Sequence, residues 1–368
     1  MLLDGWVFEA LRCPACLSKF ELHGTEIVGR NVIKGILTCE SCGAKYVIQE
    51  GMLWGGISYA AAKLREQEMK AEFKWNFELH SIDDHYQYAE RSFRVAQDVI
   101  LKMKRKISNG KILDAGAGTG CHSWQLCKHG YEVLAAELTP EMLATGDCYY
   151  DSEIYFERTI TDCTILPLAN STFDAVFCKE LAHHVEVLQE LFLEFRRVLQ
   201  PGGFLILIEP VRSGRPKFRS KTDAAKEAGL THQDYTINDY LRALRQSGFV
   251  VSELKHYRRP INKKYGVLHN IDSFVQRTFR LDCLTGPSLA KQFRAWLLGG
   301  EVALLAEAIG SGPFCSHDRK IEKLEPTRLD VEVTHQAINA MRLKQGKLLP
   351  LLKQVHGEHH LSDWQPVE

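Results

Sequence analysis

No run of about 18 consecutive apolar residues occurs anywhere in this chain, which excludes a helical membrane span of ordinary length. The opening stretch, MLLDGWVFEALRCPAC, has neither the basic start nor the apolar centre of a secretory signal, so no export signal is read there. Net charge is absent too: 46 Lys and Arg balance 46 Asp and Glu, which argues against a broad RNA-binding face. The 11 cysteines are an odd set and lie mostly singly within expected elements. That suits a reducing compartment better than a disulfide framework, and the expected location is cytoplasmic.

The neutral total hides an asymmetry. Residues 113–211 hold fifteen acidic against five basic side chains, whereas residues 212–294 hold seventeen basic against seven acidic. The later stretch would attract anionic partners such as phosphate, carboxylate or RNA.

From residue 111 onward, short apolar runs alternate with helical periodicity. Strands are expected at 111–115, 132–137, 154–160, 173–178, 204–209 and 249–254, with helices at 121–129, 140–147, 186–199 and 237–247. On the 186–199 helix, Val187, Leu191, Phe195 and Val198 share a face, and upstream Tyr88, Val95, Val99, Ile100 and Met103 recur at helical spacing. Residues 301–307 fit strand or helix equally, since Ala, Leu and Glu favour the latter. The alternation predicts a doubly wound, Rossmann-like α/β sheet.

The loop between the first of these strands and its helix reads Asp114-Ala-Gly-Ala-Gly-Thr-Gly120. Glycine lets backbone approach a ligand closely, but the dinucleotide fingerprint G-x-G-x-x-G needs Gly at 121, where this chain has Cys121. The glycines at Gly116, Gly118 and Gly120, with Asp114 before them, instead resemble motif I of the class I S-adenosylmethionine (SAM)-dependent methyltransferases. Further along, Asp162-Cys163 before Leu166-Pro-Leu-Ala-Asn, and Phe195-Arg-Arg-Val-Leu-Gln-Pro-Gly-Gly203, resemble later motifs of that family in the expected order. The nearest general likeness is to the quinone C-methyltransferases. The resemblance implies SAM as cofactor, with Asp114 and the glycine loop near its amino acid moiety, Glu137 accepting the ribose hydroxyls, and Asp162 and Cys163 at the adenine.

Cys13-Pro-Ala-Cys16 and Cys39-Glu-Ser-Cys42 form two C-x2-C pairs 22 residues apart. Such pairs can place four thiolates around one structural Zn2+, which supplies folding free energy that a domain of about 50 residues lacks. Four Cys ligands leave no open position for substrate, so a catalytic role is not expected of this metal.

Ligands in doubly wound sheets lie beyond the C-terminal strand ends, which points to Glu180, His183, His184, Glu209, Arg212, Arg215, His232 and Tyr235. Because imidazole titrates near neutrality, His183 and His184 are the candidate bases. The sequence after Phe173–Cys178 lacks the Asn- or Asp-Pro-Pro-aromatic motif associated with methylation of planar exocyclic amines. The expected reaction is methyl transfer to a small anionic organic molecule. Alternatives are rRNA or tRNA methylation, with the zinc ribbon recognising RNA, and a non-catalytic SAM-binding regulator or scaffold. The expected organisation is a zinc ribbon at 1–55, a helical linker or lid at 56–107, a methyltransferase domain at 108–309 with a helical insertion at 260–298, and a helical extension at 310–368.

Overall fold

In this computed structural model the described residues are 1, 5–58, 82–144, 146, 149, 154–214, 233–257, 289–298, 300–310 and 321–323. Residues 59–81 of the expected lid, most of the 260–298 insertion, His232, Arg215, the longest basic runs and nearly all of the C-terminal extension lie outside them.

The alternation seen in sequence is realised as a parallel sheet. Strands β6 (Lys111–Ala115), β7 (Glu132–Glu137), β8 (Glu157–Ile160), β9 (Phe173–Lys179) and β10 (Leu199–Val211) pair in parallel, in the order β8-β7-β6-β9-β10. Beyond β10 comes β12 (Gly300–Ala308), antiparallel to both β10 and β11 (Phe249–Tyr257). The ambiguous 301–307 stretch is therefore strand. Its residues 302–306 are all buried, so it carries no period-2 signal.

Two cores flank the sheet. On one side α2 (Ile82–Lys104) lays Ala89, Phe93, Ala96, Val99, Ile100 and Met103 against Ile112, Ala175 and Ile206. Val99, Ile100 and Met103 are as expected, whereas the side chains of Tyr88 and Val95 are outside the description. On the other side α4 (Leu188–Val198) buries Leu191, Phe195 and Val198 completely. Val187 departs from the expected face: it is the N-cap, with extended backbone, and is 47% exposed.

The N-terminal segment is joined to this sheet. After α1 (Trp6–Ala10), strands β1 (Phe20–Val28), β2 (Asn31–Cys39), β3 (Lys45–Gln49) and β4 (Met52–Trp54) form an antiparallel meander, and β4 then pairs in parallel with β8. The result is one sheet of eleven strands. Val7, Leu11, Leu37, Ile48 and Leu53 share a core with Leu113, Leu134 and Val176. A short β5 (Gly56–Ser58) pairs with β13 (Ile321–Lys323).

Residues 162–170 are gripped from both sides. The buried Arg197 guanidinium donates to the carbonyls of Leu168 (2.6 Å) and Leu166 (3.1 Å), and to Glu194 at 2.6 and 3.0 Å. Glu194 in turn accepts the Leu166 N–H at 2.7 Å. From the N-terminal side, Arg12 N–H donates to the Pro167 carbonyl (2.9 Å), and Leu11 bridges Leu168. Buried charge is tolerated here because both partners are paired and their remaining bonds satisfied.

Candidate functional site

The strand order reverses between β6 and β9, the switch point at which open α/β sheets form a crevice. A cleft of about 270 Å³ occupies it, lined in part by the glycine loop, Glu137, Asp162, Cys163, Lys179 and His184.

Backbone geometry explains the glycines. Gly116, Gly118 and Gly120 have φ of +72°, +56° and +77°, a region that side chains with a Cβ rarely adopt. A Cβ on Gly116 would stand 2.8 Å from the Leu181 Cβ, and one on Gly120 2.7 Å from the Phe156 ring. At Gly118 the nearest atom would be the Met142 methyl at 3.4 Å. The loop leads into α3 (Cys121–Lys128), whose N-cap is Gly120.

The acidic residues differ in role. Glu137, at the end of β7, accepts the Gly118 N–H on one oxygen (2.9 Å) and the N–H groups of Leu138 (2.8 Å) and Thr139 (3.0 Å) on the other. It ties the glycine loop to the β7 turn while still lining the cleft. Asp162 accepts both the N–H and hydroxyl of Thr164, at 2.9 and 2.8 Å, which shapes the turn carrying Cys163. Asp114 lies beneath the loop rather than among the cleft-lining residues, 1% exposed, and accepts the Ser123 hydroxyl at 2.6 Å.

Burial, with a lesser contribution from Glu137, pushes the Asp114 carboxyl up to about 7. This folded value lies above an unfolded value of about 3.9, so between those pH values the folded chain holds a proton that the unfolded chain releases. Stability from this group is therefore present at low pH and falls as pH rises through about 4 to 7, by on the order of 4 kcal/mol. Asp114→Asn is expected to raise Tm over wild type at pH 8 and to match it near pH 4. Calorimetric scans showing the same difference at both pH values would overturn this.

The two histidines part company. A 3₁₀ turn, Ala182–His184, follows β9. His183 Nδ1 lies 2.7 Å from Glu209, which is fully buried and also accepts the N–H groups of Leu181 (2.8 Å) and Ala182 (2.7 Å). His183 and Glu209 thus pin the turn, while His184 lines the cleft. Of the other expected candidates, Glu180 lines the cleft. Arg212 donates to the Asp234 carbonyl at 3.0 Å, and Tyr235 holds the carbonyls of Val185 and Glu186 at 2.9 and 2.6 Å; these fasten loops.

Sequence reasoning missed His122, Met142, Thr161 and Lys179 as cleft-lining residues. Burial, and then Lys179, push the His122 imidazole down to about 3, so it meets a ligand as a neutral group. Its place in the first turn after the glycine loop was the available signal.

The four paired cysteines converge. Cys13 and Cys42 sulfurs stand 3.7 Å apart, Cys16 and Cys39 3.4 Å, and all four lie within 4.8 Å of one another. Thiolates at about 2.3 Å around a tetrahedral ion stand about 3.8 Å apart, so the donor set fits zinc. The two turns are alike: each C-x2-C pair is followed by a left-handed residue, Leu17 (φ +59°) and Gly43 (φ +69°).

Comparison with known proteins bears on this geometry. Residues 113–207 match the methyltransferase domain family. The chain is 30% identical over 180 residues to demethylmenaquinone methyltransferase of Chlorobaculum parvum, covering 42% of this chain and 73% of that protein. It is 29% identical over 143 residues to malonyl-[acyl-carrier protein] O-methyltransferase of Enterobacter lignolyticus, covering 39% of this chain and 56% of that protein. It thus spans little more than half the length of the malonyl enzyme. Among solved structures, geranyl diphosphate C-methyltransferase from Streptomyces coelicolor A3(2) aligns with a TM-score of 0.41 at 18% identity, over 54% of this chain and 70% of that one. With its glycine loop at the switch point of a sheet ordered in this way, and these relatives in sequence, the chain belongs to the class I SAM-dependent methyltransferases.

Proposed function

We propose that this protein transfers a methyl group from SAM to a small, anionic organic acceptor. The observation that carries the reading is the meeting of two left-handed glycines, Gly116 and Gly118, and the Glu137 carboxylate around one cleft at the sheet's switch point. A Cβ on Gly116 would press on Leu181, which also lines this cleft, so glycine there keeps the loop close to the turn after β9.

Bound SAM supplies an electrophilic methyl on a sulfonium, transferred by in-line displacement. The protein's task is to align the acceptor and exclude water. Glu137 holds the ribose diol with the lone pairs that its N–H partners leave free, and the turn at Asp162 and Cys163 presents the adenine contacts. His184 receives the proton where the acceptor must lose one. His183 acts through Glu209 to hold the turn that carries His184. The malonyl group and quinone named for the relatives support a small acceptor.

Cys13, Cys16, Cys39 and Cys42 are proposed to hold one structural zinc. Among the described residues no helix is long and apolar enough to cross a membrane.

The test is incubation with methyl-labelled SAM and a fractionated cell extract. Label is expected in small acidic metabolites, and Gly118→Arg, whose side chain would enter the cleft, is expected to abolish transfer. Label in RNA would overturn the acceptor class; full transfer by the variant would overturn the site.

A further inference from the structure

We infer that Lys179 anchors the carboxylate at the methionine end of the bound cofactor. The assignment rests on the SAM reading above and extends it to a residue outside the sequence motifs. The Lys179 side chain is only 8% exposed, yet it lines the cleft. Lysines are seldom buried without an anionic partner. The carboxylate beside it, that of Glu180 at 3.4 Å, is on a side chain 43% exposed, so this pairing is partly in solvent.

Register and alternation place the ammonium group. Along β9, Ala175 and Phe177 belong to one core and Cys178 to the other, so Lys179 shares a face with Phe177. That face carries α3: the His122 ring, in its first turn, lies 5.3 Å from the Phe177 ring. Ala115 pairs with Cys178, which brings Lys179 level with Gly116, the first glycine of the loop.

Two further features point to an anion there. The first turn of α3 has no acidic residue of its own, so its N–H groups add positive potential beside Lys179, countered only from beneath by Asp114, which accepts from Ser123. The chain then leaves Lys179 through Glu180 at φ +55°, a left-handed conformation for a residue with a Cβ, and strain of this kind concentrates at ligand sites. Glu137, by contrast, marks the β7 side of the cleft. A ligand with a diol at one end and a carboxylate at the other matches a site with its carboxylate and its cation so divided.

The test is isothermal calorimetry of wild type, Lys179→Met and Lys179→Arg with two ligands. S-adenosylhomocysteine carries the amino acid moiety; 5′-deoxy-5′-methylthioadenosine shares the nucleoside and thioether and lacks it. Lys179→Met is expected to weaken S-adenosylhomocysteine by about tenfold or more while leaving methylthioadenosine within about twofold, and Lys179→Arg to retain most of the affinity. The methylthioadenosine arm also reports whether the variant's cleft is intact. Equal loss for both ligands, or no loss for either, overturns the assignment. Unchanged cofactor affinity with a raised acceptor KM overturns it in favour of the acceptor. Wild-type protein that binds neither nucleoside overturns the cofactor reading itself and the assignment with it.

Discussion

Stripping the metal with a strong chelator is expected to release one zinc per chain and to lower Tm by about 10–20 °C, a loss on the order of 5 kcal/mol. Zinc contributes about 10–16 kcal/mol to isolated structural sites. The loss here is smaller because Val7, Leu11, Leu37 and Ile48 share a core with the parallel sheet and stay partly ordered without the ion. Damage should spread from the two cysteine turns into β1–β3, then to the β4–β8 pairing. Hydrogen exchange should show lost protection in residues 5–54 and in β8, with β6, β9 and β10 still protected. Because Gly55 N–H donates to Ile160 O (2.7 Å) and Asp162 N–H to Gly56 O (3.3 Å), the same treatment should weaken S-adenosylhomocysteine binding as well. A chain that yields no stoichiometric zinc, or keeps its exchange pattern after chelation, would remove the metal from the account.

Glu137→Ala should cost at least about a hundredfold in S-adenosylhomocysteine affinity. Two charge-assisted bonds to a ribose diol account for on the order of 3–6 kcal/mol, and 1.4 kcal/mol is about tenfold. Part of the loss is indirect. The variant leaves the N–H groups of Gly118, Leu138 and Thr139 without the acceptor they share, so the glycine loop loses its tie to β7. Glu137→Gln should fall nearly as far, because its amide nitrogen would face an N–H donor. Calorimetry settles it: affinity within about threefold of wild type for either variant would mean that the nucleoside sits elsewhere.

Much of this was legible in sequence, for identifiable reasons. Strands β6 and β7 announce themselves because they are short apolar runs beside glycine turns, β9 because its apolar run follows the polar Asn170-Ser-Thr turn, and the glycine loop because its spacing is rigidly tied to backbone conformation. β12 was ambiguous because a strand buried on both faces loses the alternation that distinguishes it from a helix. The pairing of Leu53 and Trp54 with Thr159 and Ile160 has no local signature at all, and the boundary expected near residue 55 followed from the cysteine pairs. His183 and His184 could not be told apart by position. Only the 3₁₀ turn and the buried Glu209 decide which ring faces inward. Lys179 was overlooked because a lysine at a strand end reads as solvated surface; the register with Gly116 is what brings it to the cleft.

The union of β4 with β8 also sets an order of assembly. The Thr159 hydroxyl donates to the Leu53 carbonyl across 106 residues of chain. During synthesis the cysteine-bearing meander emerges long before the strand that it must join, so it can close around the proposed zinc first and wait with one edge open. Loop-closure entropy makes such distant parallel pairing slow. Until β8 arrives, that edge is a template for pairing with other chains. Metal-starved expression should therefore favour aggregated over merely inactive protein, since both partners of the seam would then be unprotected at once.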